Sequence, residues 1–147
     1  MISGNGELHV RPSRSSLPQG RVLLVDEDAK DLKHFATQLG RMDYSVRAFA
    51  DYREAEACLE HEHFDFVLVS QSSPAFATRH LVEFALARDR QTPVVVLTRC
   101  LQMKSYLEAM QLGASDYLQK PLTPAEFERV VTTHCQPRQG EISALEA

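Results

Sequence analysis

The sequence predicts an α/β domain built on a doubly wound, five-stranded parallel sheet with five helices. The first observation is an alternation of five short apolar runs with five segments of helical periodicity, which is typical of a parallel sheet covered on both faces. The second is the run at residues 64–74, which is almost continuously apolar and ends abruptly in hydroxyls, an amide and a proline. Such a run indicates a central strand buried on both faces.

The composition sets limits on the class of protein. A chain of 147 residues suits one domain, and its 44% apolar and 24% charged residues are ordinary for a soluble globular protein. A formal charge of −4 argues against direct binding of nucleic acid. Three scattered cysteines, Cys58, Cys100 and Cys135, indicate reduced thiols. With no membrane-spanning run and no signal peptide, these features predict a cytoplasmic protein that does not bind membranes.

The foldable part of the chain is predicted to span residues 21–135. Residues 1–20 contain three glycines, two prolines and four serines without sustained periodicity, so we expect a disordered N-terminal arm. From residue 136 onward the chain turns polar, and residues 136–147 are expected to form a flexible C-terminal tail.

Strands are predicted where short apolar runs meet turn residues, at residues 21–25, 44–48, 64–70, 93–98 and 116–119. Right-handed crossovers favour the doubly wound, flavodoxin-like strand order 2-1-3-4-5. This order places the first and third strands side by side. Ligands of such sheets bind just outside the carboxyl ends of the strands.

The helices between these strands carry local start signals and apolar faces. Asp28 and Asp51 are predicted to cap the first two helices, and Thr123, Pro124 and Glu126 form a capping-box start for the last. The apolar positions expected to face the sheet are Leu32, Phe35, Ala36 and Leu39; Ala55, Cys58 and Leu59; Leu81, Val82, Ala85 and Leu86; Met103, Tyr106, Leu107 and Met110; and Phe127, Val130 and Val131.

Polar side chains follow the predicted strands at the carboxyl edge of the sheet. Asp26 and Glu27 come after the first strand, Ser70 ends the third, Thr98 ends the fourth and Lys120 follows the fifth. Because the carboxyl ends of parallel strands meet at one edge, these side chains are expected to converge there.

The motifs around these residues resemble the receiver domain of two-component response regulators. Four stretches occur in the family's order, namely Val-Leu-Leu-Val-Asp-Glu-Asp, Phe-Asp-Phe-Val-Leu-Val-Ser-x-x-x-Pro, Val-Val-Val-Leu-Thr and Gly-Ala-Ser-Asp-Tyr-Leu-x-Lys-Pro. By this resemblance, Asp26 and Glu27 match the acidic pair that binds Mg²⁺, and Lys120 matches the lysine that contacts the phosphoryl group. Thr98 matches the switch hydroxyl and Tyr117 the switch aromatic. The peptide bond from Lys120 to Pro121 is expected to be cis.

The chain departs from the family pattern at Ser70, four residues before Pro74, where the family carries its phospho-accepting aspartate. A carboxylate is already an anion at neutral pH, whereas a serine hydroxyl needs a base to become nucleophilic. Asp65 lies at the wrong end of the strand to replace it. A further departure is Arg99 after Thr98, a long cation that would shield or occupy the pocket.

The loss of a carboxylate also weakens the expected metal site. Asp26, Glu27 and Lys120 leave a formal charge of −1, so we expect at most weak Mg²⁺ binding and no other cofactor. A charge pair at 4 Å is worth about 4 kcal/mol at an effective dielectric near 20. Losing one partner should therefore free Lys120 to pair directly with Asp26 or Glu27.

These features predict a non-enzymatic, receiver-like signalling module that acts by protein–protein interaction, independently of phosphate. By the resemblance, a protein partner, an output domain or a second copy would bind the face of the fourth helix, fifth strand and fifth helix. An alternative keeps the chain in a phosphorelay, either phosphorylated at another residue or acting as a kinase decoy.

A third hypothesis is enzymatic. Asp26 and Asp28 after the first strand also resemble the motif of haloacid-dehalogenase phosphatases. That family needs a further acidic pair after the lysine, and here only Glu126 and Glu128 follow, on a predicted helix. The chain is also short for that family, which makes this hypothesis the least favoured.

Overall fold

A computed structural model describes residues 7–10, 19–71 and 78–135. Within these ranges there are six strands and five helices, and from the second strand onward strands and helices alternate along the chain. Their bounds are β1 Glu7–Val10, β2 Gly20–Asp26, α1 Ala29–Arg41, β3 Tyr44–Phe49, α2 Tyr52–His61, β4 Phe66–Gln71, α3 Arg79–Arg88, β5 Val94–Thr98, α4 Met103–Leu112, β6 Asp116–Gln119 and α5 Pro124–His134.

The sheet confirms the predicted fold class. Its strand order is β1-β3-β2-β4-β5-β6, and the five strands from β2 to β6 are parallel, in the doubly wound order expected. β4 lies at the centre, with all six of its residues buried. The carboxyl ends of β2, β4 and β5 therefore meet at one edge, as the sequence predicted.

The prediction of an entirely disordered N-terminal arm is wrong at residues 7–10. These residues form β1, which pairs antiparallel with β3 and adds a sixth strand to the sheet. A four-residue strand leaves little periodicity in the sequence, and its stability comes from pairing with a strand far along the chain. The remainder of the predicted arm as far as residue 18, and the predicted tail at residues 136–147, lie outside the described residues.

The core is divided between the two faces of the sheet. One cluster lies under α2, α3 and α4 and includes Val69 and Tyr117. The other lies under α1 and α5 and includes Leu68 and Phe127, whose ring stacks on Phe35 with centroids 4.9 Å apart. Neighbouring residues of β4 thus contribute to opposite faces, as the period of two in a strand requires.

The predicted helix starts are confirmed. Asp28 and Asp51 accept hydrogen bonds from first-turn backbone N–H groups of α1 and α2. Thr123 and Glu126 form the full capping box of α5. The peptide bond from Lys120 to Pro121 is cis, also as predicted.

The predicted inner face of α4 is wrong in part. Met103 and Leu107 are 65% and 49% exposed, and the buried residues of the helix are Ser105 and Ala109. Tyr106 and Met110 pack partly against the core as predicted, whereas Met103 and Leu107 face outward and the small side chains take the buried positions. The sequence pattern of apolar residues alone cannot distinguish these two orientations.

Among the described residues, no helix combines the length and the apolar character needed to cross a lipid bilayer.

Candidate functional site at the carboxyl edge of the sheet

Asp26, Ser70 and Lys120 form one buried cluster. Asp26 ends β2 and is paired in register with Ser70 of β4. Lys120 follows β6, and its backbone N–H donates to the carbonyl oxygen of Thr98, which fixes the start of its side chain. Lys120 Nζ then lies 2.6 Å from Ser70 Oγ and 3.4 Å from Asp26 Oδ2. The three side chains thus lie together at this edge, and Lys120 pairs directly with Asp26, as expected from the sequence.

The electrostatics of the cluster centre on the Asp26 carboxylate. Burial removes it from water and raises its pKa above the usual value. Three contacts oppose this shift, namely hydrogen bonds from the Asp28 backbone N–H and the Ser70 hydroxyl, and the charge of Lys120. Ser70 thus donates to Asp26 while it accepts from Lys120, so its hydroxyl is engaged on both sides.

A further carboxylate and a second cation complete this edge. Asp31, in the first turn of α1, lies 3.0 Å from Lys120 Nζ. Arg99 reaches across from the end of β5 to Asp31 at 2.7 Å and Asp28 at 3.2 Å. Arg99 therefore covers the cluster on the α1 side, one of the two roles that the sequence predicted for it. The contribution of Asp31 was missed, because it depends on a lysine 89 residues away.

Glu27 lies apart from this cluster. Its carboxylate accepts a hydrogen bond from the Tyr52 hydroxyl at 2.8 Å, and that hydroxyl also lies 3.5 Å from the backbone oxygen of Ser70. Burial and the neighbouring Glu27 raise the pKa of Tyr52, so the phenol remains a donor. The predicted acidic pair is therefore divided, because Asp26 contacts Lys120 whereas Glu27 contacts α2.

The oxygen atoms that a magnesium ion would use at this edge are already engaged in other contacts. Mg²⁺ requires oxygen ligands in near-octahedral geometry. Asp26 is already bonded to Ser70 and Lys120, Glu27 is bonded to Tyr52, and the third position is a neutral hydroxyl. In the part of the chain that the structure describes, no group of three His, Cys, Asp or Glu side chains is placed to hold a metal ion.

Thr98 and Tyr117 form a second cluster together with Gln71. Tyr117 is 1% exposed, and its hydroxyl accepts from Gln71 Nε2 at 3.1 Å and contacts the side chains of Ser105 and Thr98. Gln71 Oε1 accepts from the backbone N–H and the hydroxyl of Thr78, at 3.2 and 2.8 Å. The predicted switch pair thus lies together, with Tyr117 directed inward.

Gln71 was missed as a site residue, although its position carries a signal. A fully buried amide at the end of a central strand must find hydrogen-bond partners within the protein. Here it joins β4 to β6 and to the start of α3. Adjacent residues of one strand therefore serve the two clusters, with Ser70 in the first and Gln71 in the second.

The fold and the arrangement of its edge define a flavodoxin-like α/β domain whose polar residues converge at the carboxyl ends of the strands. The model of one family, the response regulator receiver domain, matches residues 22–132. The chain belongs to this family. Receiver domains are in general signalling modules rather than enzymes.

A relative with a known name is also a response regulator. The response regulator protein PilR of Pseudomonas aeruginosa strain PAO1 is 29% identical over 121 residues, covering 82% of this chain and 27% of PilR. The chain therefore spans about a quarter of that relative.

The fold is shared with solved structures, of which two serve as examples. A CheY-like receiver domain protein from Methanospirillum hungatei JF-1 has a TM-score of 0.73 at 24% identity, covering 80% of this chain and 93% of that one. The receiver domain of sensor histidine kinase PA1611 from Pseudomonas aeruginosa PAO1 has a TM-score of 0.68 at 24% identity, covering 79% and 97% of the two chains. That structure has a magnesium ion coordinated in its active-site cleft.

Proposed function

We propose that this protein is a receiver module of two-component signalling that regulates a partner protein without being phosphorylated at the usual position. The observation that supports this most directly is the contact between Lys120 Nζ and Ser70 Oγ at 2.6 Å. A lysine and a buried hydroxyl are bonded to each other in place of a carboxylate that would accept the phosphoryl group.

The chemistry of Ser70 supports the proposal. An attacking serine needs a base that removes its proton. The Ser70 oxygen instead accepts a hydrogen bond from the Lys120 ammonium, which draws electron density from the oxygen and occupies a lone pair with which it would attack. Ser70 is also 0% exposed, so a phosphodonor cannot reach the oxygen unless the groups around it move.

The same contacts support the proposal that magnesium binds weakly. A metal ion would have to break the contacts of Asp26 with Lys120 and Ser70, and those of Glu27 with Tyr52, before coordinating either carboxylate. It would regain only two carboxylates, whereas the full family site supplies three. The coordinated magnesium in the PA1611 receiver domain shows what the fold accommodates, but that property does not transfer to this chain with Ser70 in place.

The proposed partner surface includes the exposed side of α4. Leu101, Met103 and Leu107 are the large apolar side chains that are most exposed among the described residues. Tyr106 of the same helix packs edge-on against Tyr117, with ring centroids 6.2 Å apart. A partner bound to α4 would therefore sense the position of Tyr117.

The free thiols Cys58, Cys100 and Cys135 support a reducing, cytoplasmic location.

The proposal is tested by the intact mass of the protein after incubation with acetyl phosphate and magnesium. The parent is compared with Ser70→Asp, which restores the carboxylate, and with Ser70→Asn, which has nearly the same shape without the charge. We expect no phosphoryl adduct on the parent or on Ser70→Asn, and an alkali-labile adduct on Ser70→Asp.

A labile adduct on the parent would contradict the proposal and place the chain in an ordinary phosphorelay through another acid. A stable adduct mapped to Ser70 by peptide sequencing would contradict it as well. The decoy alternative predicts that the parent binds a phosphorylated histidine kinase without accepting phosphate, which a kinase pull-down with and without ATP measures.

A further inference from the structure

Two cations of the carboxyl edge meet on a single oxygen atom. Lys120 Nζ lies 3.0 Å from Asp31 Oδ2, and Arg99 Nη2 lies 2.7 Å from the same oxygen. The three residues come from separate elements, because Asp31 lies in the first turn of α1, Arg99 follows β5 and Lys120 follows β6. The fold therefore builds a place where one carboxylate oxygen accepts two charge-assisted hydrogen bonds.

Lys120 depends on this oxygen for much of its charge compensation. Its side chain is 2% exposed, so water compensates little of the charge and the protein must supply anions. Asp26 is one of them, at 3.4 Å, but its carboxylate also accepts from the Asp28 backbone N–H. Asp31 is closer to the ammonium than Asp26, and it is the anion that Lys120 shares with Arg99.

Asp31 can be replaced without disturbing the start of α1. The cap of this helix is Asp28, whose side chain accepts from first-turn backbone N–H groups. The Asp31 side chain is 26% exposed, whereas that of Asp26 is fully buried at the end of β2. The oxygen held between Lys120 and Arg99 thus lies near the protein surface, where a small anion from solution can replace it once the Asp31 side chain is shortened.

We propose that Lys120 and Arg99 form an oxyanion-binding site, and that this chain fills the site permanently with its own Asp31 carboxylate. A carboxylate attached to the same chain has a high effective concentration at the site, so it excludes free anions that would bind the same two cations. The inference deepens the proposed function and rests on it, because an edge that already holds an anion between its two cations needs no phosphoryl group to compensate them.

The shared oxygen also joins two parts of the domain. The Arg99 side chain donates to Asp31 of α1, and the Arg99 backbone oxygen accepts from Gln119 Nε2 at 3.2 Å. Arg99 begins the loop that leads to the exposed side chains of Leu101 and Met103, which belong to the proposed partner surface. The Asp31 carboxylate therefore holds this loop against α1 without an external ligand.

Acetate is the probe for the site, because it is the free form of the carboxylate that Asp31→Ala removes. It is titrated at pH 7 into the ¹⁵N-labelled full chain at constant ionic strength, with sodium chloride as the balancing salt, and the amides of Arg99 and Lys120 report binding. We expect Asp31→Ala to bind acetate about tenfold more tightly than the parent, because its two cations are no longer occupied. Asp31→Ser leaves similar space and should show the same gain, so the result does not depend on the stability of one variant.

Two further variants separate this site from a general effect of helix N-termini. Glu54 has the same position in α2 that Asp31 has in α1, three residues after the capping aspartate, and it forms no ion pair with another described residue. Glu54→Ala should therefore gain no acetate binding. Arg99→Gln combined with Asp31→Ala removes one of the two cations and should abolish the gain.

The proposal is refuted if the parent and Asp31→Ala bind acetate equally, if Glu54→Ala gains as much, or if the gain survives the loss of Arg99. These variants all retain Ser70, and the measurement reads the binding of a free anion rather than a phosphoryl adduct. The acetate test can therefore fail while the mass test of the proposed function succeeds, and the mass test can fail while the acetate test succeeds.

Discussion

Lys120 Nζ and Ser70 Oγ are in hydrogen-bond contact at 2.6 Å, beside an Asp26 carboxylate 3.4 Å from the same nitrogen. The contact joins the loop after the last strand to the centre of the sheet. It also makes the lysine a structural cation of the free protein, whereas the family resemblance assigns it to a phosphoryl group. The stability of this edge and its response to added charge both follow from that pairing.

Replacing Ser70 with aspartate should strengthen magnesium binding at least tenfold. The new carboxylate adds a third anion beside Asp26, and one such pair at 4 Å is worth up to about 4 kcal/mol at an effective dielectric near 20 before the costs of rearrangement. Titrating magnesium into ¹⁵N-labelled protein measures the affinity. Ser70→Asn is the matched control and should bind as weakly as the parent. If the parent binds magnesium as tightly as Ser70→Asp, then Asp26 and Glu27 are sufficient for magnesium binding.

Replacing Lys120 with methionine should destabilise the protein by about 2–3 kcal/mol at pH 7. The change leaves Asp26 buried beside Asp31 with its compensating cation removed, and breaking a buried pair on one side is costly. Urea denaturation measures the loss. Lys104→Met, an exposed change on α4, should stay within about 0.5 kcal/mol. The Lys120→Met loss should shrink at pH 3, where carboxylates are protonated; an unchanged loss would mean that packing rather than charge is responsible.

Two carboxylates should affect the pH dependence of stability with opposite signs. Burial raises the pKa of Asp26, so the folded protein binds a proton that the unfolded chain releases, and Asp26 destabilises the fold above its folded pKa. Relative to the parent, Asp26→Asn should therefore gain unfolding free energy as the pH rises from 3 to 7, over and above the constant effect of leaving Lys120 with Asp31 alone. The gain should vanish below about pH 3.8, the ordinary aspartate pKa, because both states are then protonated.

Glu62 should behave in the opposite way. Partial burial raises its pKa, but hydrogen bonds from Arg21 and Arg47 prevail and hold the pKa below the usual value. Its stabilisation is fully present above the unfolded pKa of about 4.5 and is lost as the pH falls through the folded pKa. Glu62→Gln should thus lower the melting temperature at pH 7 and have little effect at pH 3. Melting curves of Asp26→Asn and Glu62→Gln at pH 3 and pH 7 test both predictions. Relative to the parent, stability should rise with pH for Asp26→Asn and fall with pH for Glu62→Gln. If both variants change in the same direction, one of the two predictions is wrong.

Gln71→Met should loosen the start of α3 and the packing of Tyr117. The methionine has a similar volume but neither accepts from Thr78 nor donates to Tyr117, so we expect a loss of about 1–2 kcal/mol. Hydrogen exchange of the Thr78 amide should accelerate about tenfold. The Lys30 amide, bonded to Asp28 at a distant cap, serves as an internal control and should not change. Unchanged protection at Thr78 would show that Gln71 does not fix this helix start.

The orientation of α4 can be tested by placing lysine on its two sides. Leu107→Lys should change the unfolding free energy by less than about 0.5 kcal/mol, because the side chain already faces water. Ala109→Lys should destabilise by more than about 3 kcal/mol, because Ala109 is fully buried against the sheet. Chemical denaturation measures the loss of unfolding free energy for both variants. If Leu107→Lys is the more destabilising change, Leu107 faces the core, as the sequence predicted.

The sequence predicted features that depend on neighbouring residues more accurately than features that depend on distant ones. The caps Asp28, Asp51 and Thr123 lie within three residues of the N–H groups that they bind, so their role is visible locally. The convergence of Asp26, Ser70 and Lys120 followed from strand order alone, because parallel strands end at a common edge.

The contacts that the sequence did not show join residues far apart. β1 is stabilised by β3, Asp31 by Lys120 and Arg99, and Gln71 by Tyr117. In each case, the sequence around one partner shows nothing that indicates a contact with the distant residue. The orientation of α4 was missed for a related reason. It depends on how the small residues Ser105 and Ala109 pack against the sheet, and the sequence of the helix alone does not show that packing.

The position of Ser70 inside β4 has a consequence for protein kinases that modify serine. Ser70 lies in register with Asp26 of one neighbouring strand and Leu97 of the other, at the centre of the sheet. A kinase that reads an extended peptide would need β4 drawn out from between both neighbours, which amounts to opening the whole domain. The folded protein therefore hides Ser70 from such kinases, and any phosphoserine at this position would report on chains modified before folding.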